Sequence, residues 1–193
     1  MPRVKQFDQQ EALQKAMLLF WRKGYNATSI QDLTEHLGIS RGSLYDTFGD
    51  KKQLFDRVIL HYSQTVLQGL KSFLNTQQNV KGAFRHIFQQ VLMEDQISLD
   101  FKGCFVANTT TEMLPADNPL LELIQTHQEQ IEQLFFELLE RGVRSGEIGP
   151  NKDLKAIART IYTMMTGFRV LGKAKADVKH SQAAFETVLA ILD

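Results

Sequence analysis

Residues 28–54 read TSIQDLTEHLGISRGSLYDTFGDKKQL. Thr28 is followed three residues later by Gln31, a pairing in which each side chain satisfies a free amide at a helix start. Ile30, Leu33 and Leu37 then recur at helical spacing. Gly38 comes directly after, where a left-handed residue ends a helix most easily. Ser40 is placed to cap a further helix that carries Leu44 inward, and Asp50 with Gln53 repeats the capping pattern for the next. Two short helices about a glycine turn make a helix-turn-helix pattern. A three-helix unit that never meets nucleic acid would show the same apolar spacing, so the polar residues have to decide.

Those polar residues are Ser40, Arg41, Gly42, Ser43 and Tyr45. Gly42 weakens a helix by about 1 kcal/mol relative to alanine, which makes sense where the backbone must closely approach another surface. Duplex DNA is such a surface. Arg41 can give two hydrogen bonds to a guanine edge, while Ser40, Ser43 and Tyr45 suit phosphates or base edges. Lys51 and Lys52 stand at a helix start, where a cation opposes the macrodipole. A phosphate bound there by the ammonium and the free amides would explain them.

Upstream, Leu13, Ala16, Met17 and Phe20 predict a helix from Asp8 to Lys23, stopped by Gly24. The whole chain has 193 residues, room for one or two small domains. With 22 Lys/Arg and 22 Asp/Glu it carries no uniformly basic coat. Residues 1–60 hold 9 Lys/Arg against 7 Asp/Glu, a net of +2, and the rest 13 against 15, a net of −2. One cysteine, Cys104, excludes an intrachain disulfide framework and an all-cysteine metal site. No apolar run is long enough to cross a bilayer and no signal region opens the sequence, so a cytoplasmic protein is expected. Few prolines, no Asn-Gly or Asp-Gly hairpin signal and no sustained alternation argue for an all-α fold.

The runs Thr28–Leu33, Gly38–Tyr45 and Phe48–Leu54 resemble the N-terminal domain of the tetracycline-repressor (TetR) family, the similarity covering roughly residues 8–56. The resemblance implies a nine-helix fold, with a helix-turn-helix head at 1–49 and a helical effector-binding and dimerisation body at 50–193. It implies a homodimeric transcription regulator, most often a repressor, whose partners are a double-stranded DNA operator, a second copy of itself and a small-molecule effector. By match to the motif, Thr28 and Lys51 would hold phosphates. Ser40, Arg41, Gly42, Ser43 and Tyr45 would face the major groove, with Thr47 near the DNA backbone. Leu33, Leu44 and Phe48 would be core. Asp46 departs from the aromatic residue or histidine of many members, and an acid is unfavourable beside phosphates.

Beyond residue 50 the spacing predicts helices over about 50–75, 80–94, a short one from Gly103, one opened by Asn118-Pro119 to Arg144, one from Asn151 or Asp153 to Leu171, and one from Ser181 to Leu192. Ten of the 13 phenylalanines lie in this part, Phe101 among them. Most are expected in the core. Phe84, Phe88, Phe105 and Met113, in the middle helices where the family keeps its cavity, are the candidates to line an effector pocket, together with Cys104. Gly103-Cys104 also resembles the family branch of electrophile- and oxidant-responsive repressors. There a late lysine approaches the thiol; Gly167 and Lys173 match that pattern, making Cys104 and Lys173 a candidate redox pair, because a nearby ammonium favours the reactive thiolate. An inert core thiol is the other reading of Cys104. Ile157, Ile161, Met164, Phe168, Leu171, Phe185, Val188 and Leu192 give the last two helices broad apolar faces, suited to a two-fold four-helix bundle or to packing within one chain.

The five histidines lack metal-ligand spacing and are read as surface or hydrogen-bonded helix residues, and no phosphate loop or nucleophile elbow occurs. No catalytic residue, metal or cofactor is expected. Two other functional classes stand beside the DNA-binding repressor: a co-regulator that keeps the fold without reading an operator, favoured by Asp46 and the neutral charge, and a small-molecule enzyme, for which no nucleophile and base are proposed.

Overall fold

A computed structural model of the chain describes residues 7–97, 102–114, 117–174 and 177–193. Among these residues there are nine α-helices and no strand. They are α1 (Gln9–Lys23), α2 (Ile30–Leu37), α3 (Arg41–Phe48), α4 (Lys51–Thr76), α5 (Val80–Ile97), α6 (Phe105–Met113), α7 (Asn118–Ser145), α8 (Leu154–Lys173) and α9 (Val178–Leu189), the last closed by a 3-10 turn at Ala190–Leu192. Phe101 lies outside the described residues.

Local chemistry sets the helix starts. Asp8, Ser29, Ser40, Asp50, Asp117, Asp153 and Asp177 each accept an amide hydrogen bond in the first turn of the helix they precede. Three of these differ from the sequence expectation. Ser29, with Asp32 as its reciprocal partner, caps α2 in place of Thr28 and Gln31. Thr28 is unavailable because its hydroxyl donates to Gly24 O at 2.6 Å. Asp117 caps α7, which puts Pro119 at the second helical position, where its missing N–H has no partner to lose. Asp177 caps α9, which begins at Val178, three residues before Ser181. Between α2 and α3, Gly38 has φ 67° and ψ 30°, the left-handed turn that the helix-turn-helix pattern requires.

Two apolar cores lie along the molecule. The first joins Ala16, Phe20, Leu33, Leu44 and Phe48 of the head to Leu54, Phe55, Val58 and Tyr62 of α4, and also takes in Phe105 and Val106 of α6 with Leu120 and Ile124 of α7. The second fills the body between α5, α7, α8 and α9 around Phe84, Phe88, Phe135, Leu139, Ile161, Phe168 and Phe185. Helix α4 contributes to both, so it ties the head to the body. Ile157, Ile161, Phe168, Phe185 and Leu192, candidates for an intersubunit face, are buried within the single chain, while Val170, Leu171 and Ile191 stay about half exposed.

Candidate nucleic-acid interface and ligand cavity

Helix α3 buries Leu44 and Phe48 and leaves Arg41, Gly42, Tyr45 and Asp46 exposed. Ser40 Oγ accepts Ser43 N at 3.0 Å and shares a 2.8 Å hydrogen bond with Ser43 Oγ, which fixes both hydroxyls at the helix start. The Arg41 guanidinium lies 5.6 Å from the Tyr45 ring centroid, with a 3.4 Å hydrogen bond to the Tyr45 hydroxyl, so the two side chains stand together on the outer face. A Cβ at Gly42 would meet only Ser40 Oγ, at 3.9 Å. Nothing inside the chain demands glycine there. Thr47 is half-buried, and its carbonyl accepts Arg57 Nη1 at 3.1 Å.

The two residues expected to hold phosphates do other work. Thr28 is 1% exposed and its hydroxyl serves Gly24 O. Lys51 Nζ donates to Tyr25 O and Thr28 O, both at 2.9 Å, and sits 4.2 Å from the Tyr25 ring centroid. Lys52 Nζ pairs with Asp56 and, at 2.7 Å, with Asp117. Both ammonium groups thus bend back from the α4 start onto carbonyls and carboxylates of the chain itself. That accounts for lysines in an unfavourable dipole position without a phosphate.

A cavity of 130 Å³ opens between α4, α5, α6, α7 and α8. Val66, Leu70, Ile87, Val91, Ile131 and Phe135 form apolar walls, while Cys104, His127, Tyr162, Thr166 and Arg169 bring polar atoms to it. Of the five candidates from sequence, only Cys104 lines it. Helix α5 turns Ile87 and Val91 to the cavity, which sends Phe84 and Phe88 elsewhere. Phe84 packs edge-on against Phe135, at 5.3 Å between centroids, and Phe88 stacks on Phe185 at 4.0 Å. Phe105 packs into the seam with the head, 5.6 Å from Trp21 and 5.5 Å from Tyr62. Met113 packs against the head core.

His127 was missed. It is 3% exposed and Ser63 Oγ lies 2.8 Å from its Nδ1. Burial lowers the imidazole to about 4, so it is neutral at physiological pH. The signal was present in the stripe Leu120, Ile124, His127, Ile131, Phe135, Leu138, where histidine occupies an inward helical position. Tyr162 is held by burial, and by the nearby Cys104 sulfur, at about 12, which keeps the phenol a neutral donor.

Cys104 caps α6, its sulfur accepting Ala107 N at 3.4 Å. Gly103, at φ +65°, lets the Lys173 stem cross it: a Cβ there would lie 2.5 Å from Lys173 Cδ and 3.1 Å from Arg169 O. The Lys173 ammonium bonds Asn108 Oδ1 at 3.1 Å. The structure therefore brings thiol and lysine into one neighbourhood, with each bonded to another partner.

Helix α6 joins this cavity to the head. Glu112 accepts Tyr25 N at 3.0 Å and Asn26 N at 2.7 Å, holding the α1–α2 turn. At its other end, Trp21 Nε1 donates to Gly103 O at 3.0 Å. Glu112→Ala leaves two turn amides without their carboxylate and should lower stability by about 1–3 kcal/mol. Amide exchange at Tyr25 and Asn26 should accelerate with it; unchanged protection of those amides would show that the clamp does not hold the turn.

A family model described as bacterial regulatory proteins, tetR family, matches residues 12–58, and another, tetracyclin repressor-like, C-terminal domain, matches 85–188. The chain is 33% identical to the uncharacterized HTH-type transcriptional regulator YezE of Bacillus subtilis, covering 100% of both. It is 28% identical to the HTH-type transcriptional repressor ComR of Escherichia coli, over 92% of this chain and 85% of that one. Among solved structures, a cysteine mutant of the TetR family transcriptional regulator CifR, complexed with 26-base-pair double-strand operator DNA, superposes with a TM-score of 0.84 at 25% identity over 98% of both chains. The reduced form of E. coli NemR superposes with a TM-score of 0.87 over 97% of this chain and 98% of that one, at 17% identity, a likeness of fold. Among the described residues no helix is long and apolar enough to cross a membrane.

Proposed function

The chain belongs to the tetR family of bacterial regulatory proteins and is a DNA-binding transcription regulator, and from that premise we propose that it acts as a homodimeric repressor, released from a palindromic operator by a small effector. The head, residues 1–49, reads DNA; the body, 50–193, takes up the effector and dimerises. Arg41, Gly42 and Tyr45 enter the major groove, with Ser40 and Ser43 beside them. Thr28 and Lys51 serve the interface by fixing the turn before α2, and Thr47 lies near the DNA backbone. The half-exposed Val170, Leu171 and Ile191 give a partner copy apolar surface. Two protomers would set their α3 helices about 34–36 Å apart, one turn of duplex, or a multiple of it.

The observation that carries release is the span of α6. Its first turns face the cavity through Cys104 and Val106, and its last turn holds the head through Glu112. A molecule that displaces α6 moves the α1–α2 turn with it. To move the population decisively, it must prefer the released state by several kcal/mol. The effector is small and apolar, or a reactive one that meets the Cys104 sulfur on the cavity wall, with Lys173 as its candidate redox partner.

The test is fluorescence anisotropy of a duplex from upstream of the protein's own gene, with excess random DNA. Saturation at two protomers per palindrome is expected. Arg41→Ala should weaken operator binding by about 1–3 kcal/mol and nonspecific binding much less. Equal loss on both DNAs would show that Arg41 reads only the phosphate backbone. A folded dimer with no preference over random DNA would favour the co-regulator reading instead.

A further inference from the structure

Ser63 on α4 meets His127 on α7 behind the cavity wall that His127 lines, and their pairing has a direction. Both are almost sealed from solvent, at 5% and 3% exposure. The Ser63 hydroxyl has one proton, and among the described residues His127 Nδ1 is its one hydrogen-bond partner. A buried O–H left without an acceptor loses a full hydrogen bond, so Ser63 donates and Nδ1 accepts. A neutral imidazole carries a single N–H. The proton therefore resides on Nε2. That nitrogen has no partner among the described residues, yet Thr109 Oγ1 is the buried side-chain atom there that lacks one. Nε2 is thus not enclosed by protein: it opens on the cavity that the ring lines.

The space available is 130 Å³, bounded on other sides by Ile87, Val91 and Phe135. An apolar cavity of about 150 Å³ takes up benzene. We propose that this cavity selects a compact molecule without positive charge, about one ring in size, through a carbonyl or ether oxygen that accepts a hydrogen bond from His127 Nε2–H. The inference rests on the reading of this cavity as the effector site. A cation finds no counter-charge in the Ser63–His127 pair, and a hydrocarbon leaves the N–H unsatisfied.

The experiment uses the full chain labelled with ¹⁵N in histidine and two probes of similar shape, cyclohexanone and methylcyclohexane. Long-range ¹H–¹⁵N spectra of the free protein read the tautomer directly. Nε2 should be protonated and Nδ1 bare, and cyclohexanone should shift Nε2. Replacing both partners, Ser63→Ala with His127→Leu, removes the pair without leaving either member orphaned. That double variant should lose about three- to tenfold in cyclohexanone affinity and lose none for methylcyclohexane, which no longer covers an unsatisfied N–H. A protonated Nδ1 in the free protein overturns the inference before any variant is made. Equal changes for the two probes overturn it while leaving the cavity as a binding site. If neither probe perturbs His127, Ile87 or Val91, the cavity reading itself falls, and the ligand class with it.

Discussion

Phe55→Ala should lower the free energy of unfolding by about 3–5 kcal/mol. Phe55 is 1% exposed, and its ring meets Phe20 at 5.0 Å, Tyr25 at 4.9 Å and Phe105 at 6.1 Å. Those partners belong to α1, to the turn after it and to α6. One truncation therefore leaves a void at the place where the head, the linking helix α4 and the cavity helix α6 come together. Close packing around such a site transmits the loss, because the surrounding rings relax only partly. Urea unfolding should show a lower midpoint at unchanged slope. Phe55→Leu, which restores much of the volume, should recover more than half of the loss. A cost below about 1 kcal/mol would mean that the aromatic cluster is loosely packed, and that α6 is held to the head mainly by Glu112 and by the Trp21–Gly103 hydrogen bond.

The second large effect is acid sensitivity. His127 titrates at about 4 in the folded chain against an ordinary 6.5. Below 6.5 the unfolded chain binds a proton that the folded one refuses until about 4. Stability is full above pH 6.5 and falls progressively down to pH 4, where His127 alone accounts for about 3 kcal/mol. Hydrogen bonds to Lys52, Arg85 and Lys81 hold the Asp117, Glu186 and Asp193 carboxyls below their ordinary range, so their contributions are lost at lower pH still. The histidine component is isolated by subtraction. Stability of His127→Gln, measured from pH 7.5 to 4, should decline less steeply than that of the parent chain; parallel curves would show that the imidazole is protonated freely in the fold.

Helix existence was legible nearly everywhere, because α1, α4, α7 and α8 carry long apolar stripes and Gly38 marks the turn before α3. Boundaries were less so. Two adjacent cap-forming residues, Thr28 and Ser29, offer the same chemistry, and only the Gly24 carbonyl, four residues back, decides that Thr28 turns inward. Asp117 and Asn118 present the same ambiguity. The outer face of α3 was readable because exposure there follows from helical period alone. The cavity was not, because it depends on which side of α5 meets α8. A periodic run shows that Phe84 and Phe88 point inward; it does not show that Ile87 and Val91 reach the void while the phenylalanines reach α7 and α9. The intrachain partners of the α4 lysines were not legible either. Tyr25 O, Thr28 O and Asp117 are distant in sequence, so the local pattern offered only an external ligand for a charge in that position.

The bond from Trp21 to Gly103 also equips the molecule with an optical reporter. The chain has one tryptophan. Its indole spans the seam between head and body, stacked on Phe105 and edge-on to Tyr62, with the Lys102 ammonium 5.7 Å from its ring. Indole emission follows the polarity and the charge around the ring. A cation and a carbonyl both borne by the segment leading into α6 are therefore tuning elements of a single chromophore. Any motion of that segment relative to α1 changes the colour and intensity of the light the protein emits, without a label and without an engineered residue.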